Sequence, residues 1–129
     1  MSTQTILEQQ SELSAEALND LIIDSIQDIK GKNILKLDLR ELDDAPTDYF
    51  IICEGDSNTQ TKAIADNIYL RVKKEGGTLP LHQEGQQNAR WICMDYFDTV
   101  VHIFYREARE FYELEDLWSD AKFSSYDTL

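Results

Sequence analysis

Apolar residues recur at helical spacing through Leu18, Leu21, Ile22, Ile26 and Ile29, behind Ser14 and ahead of Gly31. Ser14 can accept from the free amides of a first turn and Gly31 can take the left-handed stop, so a first helix is predicted between them. "NILKLDL" (33–39) then alternates, with Leu35, Leu37 and Leu39 outvoting Ile34, which predicts a strand with one covered face. "DDAPT" breaks the pattern. "DYFIIC" (48–53) is continuously apolar after its first residue and short, so it reads as a central strand covered on both faces. A second helix follows, capped by Ser57 or Asn58, striped by Ile64, Ala65, Ile68 and Val72, basic in its last turn and stopped at Gly76 and Gly77. "TLPLHQEGQQNAR" predicts a short edge strand and a loop, because Pro80 cannot donate to a central ladder. "WICMDYFDTVVHIFY" (91–105) is two apolar runs joined at a turn. In "REAREFYELEDLW", Ala108, Phe111, Leu114, Leu117 and Trp118 fall on one helical face. The expectation is a single-domain α/β sandwich, a mixed sheet flanked by helices, over residues 14–120, with a flexible lead-in at 1–13 and a C-terminal tail at 121–129.

Composition adds limits. A chain of 129 residues fits one domain and buries roughly 70% of its unfolded surface, enough for a core without staples. No run approaches the roughly 20 apolar residues of a membrane helix. Lys and Arg are absent before Lys30, which argues against a secretory or transit segment and makes the cytoplasm the expected location. Cys53 and Cys93 sit in strand-like runs and read as reduced thiols. The net charge of -13 disfavours direct nucleic-acid binding. Residues 91–120 hold eight acidic residues against two basic ones, so a partner of this region should be basic; the competing reading is an acidic surface that serves solubility alone.

The hairpin carries the candidate chemistry. With Phe97 and Asp98 central in the turn, Tyr96 faces Thr99, and Asp95, Cys93 and Trp91 pair with Val100, His102 and Phe104. Ile92, Met94, Val101 and Ile103 then form an apolar face for the core. Trp91, Cys93, Asp95, His102 and Phe104 share the other face, with Asp98 at its rim. That mixture suits a protein interface, where Trp supplies area and acids orient a basic partner. The competing reading is that a helix covers this face and His102 is a satisfied core histidine.

Catalytic readings are weaker. "GDS" (55–57), between a strand and a helix, lacks the glycines of a phosphate loop. Magnesium-dependent nucleotidyl transfer needs carboxylates at alternate strand positions, whereas Asp95 and Asp98 are three apart. Cys53, His82, Cys93 and His102 lack metal-ligand spacing, and Cys93 beside His102 lacks an orienting third group and an oxyanion hole. No metal or cofactor is expected. A nucleotide-binding or nucleotidyl-transfer enzyme remains the alternative function.

Three separated motifs, "DYFIICEGDSNTQTKAIADNI", "WICMDYFDTVVHIF" with a preceding "EG", and "REFYELEDLW", resemble the ribosomal silencing factor, or Iojap-like, family over about residues 18–118. The chain keeps Gly55, Ser57, Gln60 and Ala63 to Asp66 of the first motif, and Trp91, Asp95, Asp98 and His102 of the second. It departs at Phe97, where glycine is common, and at Glu54, where Ser or Thr is usual. The resemblance implies a nucleotidyltransferase-like fold without the catalytic carboxylates. It also implies a non-enzymatic translation repressor that binds ribosomal protein L-fourteen on the large subunit and sterically prevents the small subunit from joining. On that basis Trp91 is the expected anchor, Asp95 and Asp98 are salt-bridge partners of a basic patch, and Glu84, His102 and Phe104 are flanking contacts. A homodimer closing through the same face is the competing occupant.

Overall fold

The structure, a computed structural model, describes residues 13–129 apart from the side chains of Phe111 and Tyr112; the lead-in expected at 1–13 lies almost wholly outside the described residues, as does the expected place of the Phe111 side chain on a helical face. Helix α1 (Ala15–Asp28) starts where Ser14 Oγ accepts from the Ala17 amide at 3.0 Å. Strand β1 (Lys32–Asp38) follows, then β2 (Tyr49–Gly55) and helix α2 (Asn58–Gly76). The Ser57 hydroxyl caps α2 through the Gln60 amide, and Gly77 ends it in the left-handed conformation, φ 65°. Short β3 (His82–Glu84) precedes the hairpin of β4 (Trp91–Asp95) and β5 (Thr99–Tyr105).

With a last strand β6 (Lys122–Tyr126), the six strands lie in the order β3-β4-β5-β2-β1-β6, with β2 and β5 parallel and every other neighbouring pair antiparallel. The sheet is mixed, and β2 is central with all seven residues buried. Helices α1 and α2 cover one face, where Ile22, Ile26, Ile64 and Ile68 pack on Ile51, Ile92, Met94, Val101 and Ile103. The second face carries Leu37, Leu39, Phe50, Ile52 and Phe104 and is covered in part by the C-terminal segment through Ala108 and Leu114.

Three expectations need correction. Strand β1 has both faces covered: Asn33 takes a positive φ of 49° and the register against β2 slips between Lys32 and Leu35. Ile34 is thereby sent into the core under the helices while Leu35 and Leu37 face the other side. The single C-terminal helix is two, α3 (Arg106–Tyr112) and α4 (Leu114–Leu117). They are split at Glu113, whose left-handed φ of 47° turns Leu114 under onto the sheet and leaves Leu117 exposed. The tail contains a sixth strand, β6 (Lys122–Tyr126), which pairs antiparallel with β1 from Ile34↔Tyr126 to Asp38↔Lys122. An edge strand satisfies its backbone on one side only and needs no apolar period, which is why "KFSSY" carries no strand signature.

Candidate functional site

The hairpin has the register read from its sequence, Trp91↔Phe104, Cys93↔His102 and Asp95↔Val100. Phe97 pays the cost of the turn with φ 78°. The Asp98 amide donates to the Tyr96 carbonyl at 3.1 Å, and the Tyr96 amide donates to the Thr99 carbonyl at 2.8 Å. Two side chains hold the left-handed residue: Asp95 Oδ1 accepts from the Phe97 amide at 2.8 Å, and Thr47 Oγ1 donates to the Phe97 carbonyl at 2.9 Å. Asp95 therefore already spends one carboxylate oxygen on the turn.

Strand β3 extends the face. Glu84 pairs with Cys93, and Cys93 with His102, so these three side chains form one row, and His82 stands opposite Asp95 in the next. The His82 ring touches the Glu84 carboxylate. Gly85, at φ 89°, lies so close to Trp91 that a Cβ there would overlap the Trp91 carbonyl oxygen.

Trp91 is half-buried at the rim of this face. Its ring stacks on Phe104 with centroids 5.1 Å apart, and its indole N–H donates to His102 Nδ1 at 3.1 Å. His102 in turn packs edge-to-face with Phe50, ring centroids 4.6 Å apart, and Phe50 meets Trp118 at 6.0 Å. The aromatic series runs from the exposed rim to the region beneath α3 and α4. Burial pushes His102 down to about 4, so at neutral pH it is uncharged and can accept from Trp91. Burial, reinforced by Glu84 and Asp95, pushes the Cys93 thiol up to about 11, which leaves it a packing group and not a nucleophile.

The inner part of the face is covered, although His102 is not the fully satisfied core histidine of the competing reading, since its Nε2 is buried without a hydrogen-bond partner among the described residues. His102 and Phe104 are buried as core residues, at 6% and 0% exposure, and lie beneath the surface instead of forming it. Trp91, Asp95 and Asp98 are half-exposed and Glu84 is exposed, so the accessible part is an aromatic rim beside acids. Phe97, 73% exposed next to Asp98, belongs to the same edge and was not singled out by its residue type. The glycine-poor "GDS" loop is a helix cap: Gln60 Oε1 accepts from the Asp56 amide at 2.7 Å and Lys32 bonds the Asp56 carboxylate at 2.7 Å. No group of three His, Cys, Asp or Glu residues suited to a metal ion occurs among the described residues. None of the described helices is long and apolar enough to cross a membrane.

The family described as "Ribosomal silencing factor during starvation" matches residues 12–129. The chain belongs to the ribosomal silencing factor family. It is 39% identical to "Ribosomal silencing factor RsfS" of Haemophilus influenzae over 103 residues, 80% of this chain and 99% of that protein. The protein of the same name from Bacillus subtilis is 39% identical over 100 residues, 78% of this chain and 83% of that one. A crystal structure of a Chromobacterium violaceum protein, 34% identical, superposes with a TM-score of 0.77 over 82% of this chain and 87% of the other. Family membership places the hairpin face in a ribosome-associated protein that silences translation.

Proposed function

We propose that the rim of the β4–β5 hairpin is the surface by which this cytoplasmic protein grips a basic patch of ribosomal protein L-fourteen on the large ribosomal subunit, and that its bulk then blocks the small subunit. The observation that carries the reading is the support of Trp91. A half-exposed indole, stacked on buried Phe104 and hydrogen-bonded to buried His102, is a rigid aromatic that loses little entropy when a partner covers it. Around it, Glu84, Asp95 and Asp98 supply negative charge without a cationic side chain paired to them by an ion pair among the described residues, apart from the His82 ring at Glu84. Such a surface attracts Lys and Arg and repels phosphate, so it selects a ribosomal protein from the surrounding RNA. No covalent chemistry is needed: occupying the joining face is enough.

Co-sedimentation with isolated large and small subunits tests the reading. Wild-type protein should pellet with large subunits only, and folded Trp91→Ala should remain in the supernatant. Equal pelleting of the variant, or binding to both subunits alike, would remove the hairpin rim as the docking surface.

A further inference from the structure

The tip of the hairpin carries a side chain that the cores do not use. Phe97 is 73% exposed, yet its backbone sits at φ 78°. A bulky residue in that region is rare and strained, whereas a glycine takes it readily. Several bonds keep it there. Asp95 Oδ1 accepts from the Phe97 amide at 2.8 Å, and Thr47 Oγ1 donates to the Phe97 carbonyl at 2.9 Å. The next residue is fixed as well, because the Asp98 carbonyl accepts from the Tyr49 amide of β2 at 3.0 Å. Both polar backbone groups of Phe97 are thus held by side chains from two separate segments, and the tip of the loop is tied down.

Packing within the chain does not account for an exposed ring on a strained and clamped backbone. Presentation to a partner does, because an aromatic fixed in advance loses little entropy when it is covered. Position and charge indicate which partner. Trp91 opens β4 and Phe97 follows its end, so the two aromatics stand at opposite ends of the rim, roughly 15 to 20 Å apart at the rise of a strand. An interface of standard size, about 800 Å² on each partner, is wide enough to cover both. Asp95 and Asp98 flank Phe97 in the chain, and Asp48 precedes the β2 residue bonded to Asp98. A second copy of this chain would bring the same acids against one another, while a basic protein surface meets them with Lys and Arg.

On the hairpin-rim reading of the function, on which this inference rests, we propose that Phe97 is a second aromatic anchor of the docking surface, with Thr47 and Asp95 as its positioning residues. The basic ribosomal-protein patch then has an apolar socket for Phe97 roughly 15 to 20 Å from its contact with Trp91, and its Lys and Arg side chains lie between the two. Asp95 serves twice, one carboxylate oxygen holding the turn and the other facing the partner.

The test is equilibrium binding of the full chain to isolated large ribosomal subunits, with a thermal melt of every variant. Phe97→Asn removes the ring but keeps a residue that tolerates the left-handed region; it should melt no lower than the wild type and bind about tenfold more weakly or worse. Phe97→Tyr keeps the ring and should bind as the wild type does. Thr47→Val removes the hydroxyl bonded to the Phe97 carbonyl. It should weaken binding about threefold in the wild-type chain and not at all in the Phe97→Asn chain, a coupling that a general structural role for Thr47 would not produce. Trp91→Ala, measured alongside, separates the anchor from the rim. If Trp91→Ala loses binding while Phe97→Asn binds like the wild type, the rim stands and the second anchor falls. If Trp91→Ala also binds like the wild type, or the wild type does not bind, the rim reading fails and takes the second anchor with it. Equal weakening by Thr47→Val in both backgrounds, or a wild-type dimer in sedimentation that Phe97→Asn dissociates, would also overturn the proposal.

Discussion

The indole N–H of Trp91 and Nδ1 of His102 are joined at 3.1 Å across the hairpin, so the half-exposed tryptophan of the candidate surface is oriented by one of its buried residues. That bond requires an uncharged imidazole. Trp91→Ala should therefore cost about 2 kcal/mol or more of binding to large subunits, with the far-ultraviolet spectrum unchanged. Trp91→Phe, which keeps an aromatic but loses the donor, should fall between the two in the same binding titration.

The same bond couples the face to acid. His102 titrates near 4 in the fold against an ordinary 6.5, so the unfolded chain takes up its proton first as pH falls. Stability from this group is complete above about pH 6.5 and is lost between there and about pH 4, a total of order 3 kcal/mol. Denaturant melts of wild type and His102→Phe should diverge in slope against pH within that window. Parallel curves would mean that His102 is not held neutral by burial.

At Glu54 and Arg109 the fold has sealed an ion pair under α3. Arg109→Met leaves Glu54 buried without its cation and should destabilise by about 3 kcal/mol in urea unfolding, whereas Glu54→Gln leaves Arg109 its ion pair with Glu115 at 3.1 Å and should cost less. Glu54→Leu with Arg109→Met together should recover a large part of that loss.

How far the chain could be read without its structure follows from where its forces are local. The hairpin register followed from the period of two on both sides of Phe97 and Asp98, and the central place of β2 followed from its unbroken apolar run. The caps at Ser14 and Ser57 are single-residue chemistry and were equally legible. The break at Glu113 was not, because a non-glycine in the left-handed region is chosen by the burial of Leu114 and not by its own preference. Strand β6 was hidden for a similar reason: its only partner among the described residues is β1, nearly ninety positions away in the chain, and its side chains are mostly exposed. In the site, residue type located the aromatic and acidic face but could not divide it into rim and floor. Only the packing of α3 and α4 separates Trp91 from Phe104. Glu54 was the one warning of the buried pair, since an acid inside an apolar strand needs a cation from elsewhere.

Phe97 gives a prediction of opposite sign. It is exposed and held at φ 78°, a conformation that costs an ordinary residue about 1 kcal/mol and glycine little. Phe97→Gly should raise the unfolding midpoint slightly. If Phe97 also touches the partner, the same variant binds large subunits less well, a stability gain paired with an affinity loss.

Charge at the rim acts mainly on encounter. Asp98→Lys should slow association with large subunits and flatten its dependence on salt, with a smaller effect on dissociation, as stopped-flow measurements at two ionic strengths would show. Unchanged rates in both buffers would take Asp98 out of the contact.

The most direct measurement is subunit joining itself, followed by light scattering as small subunits are mixed with large subunits preincubated with the protein. Wild-type protein should suppress the scattering increase in proportion to large subunits occupied, and folded Trp91→Ala should restore it. Suppression by the variant at the same concentrations, or full joining with wild-type protein bound, would contradict a steric block built on the hairpin rim.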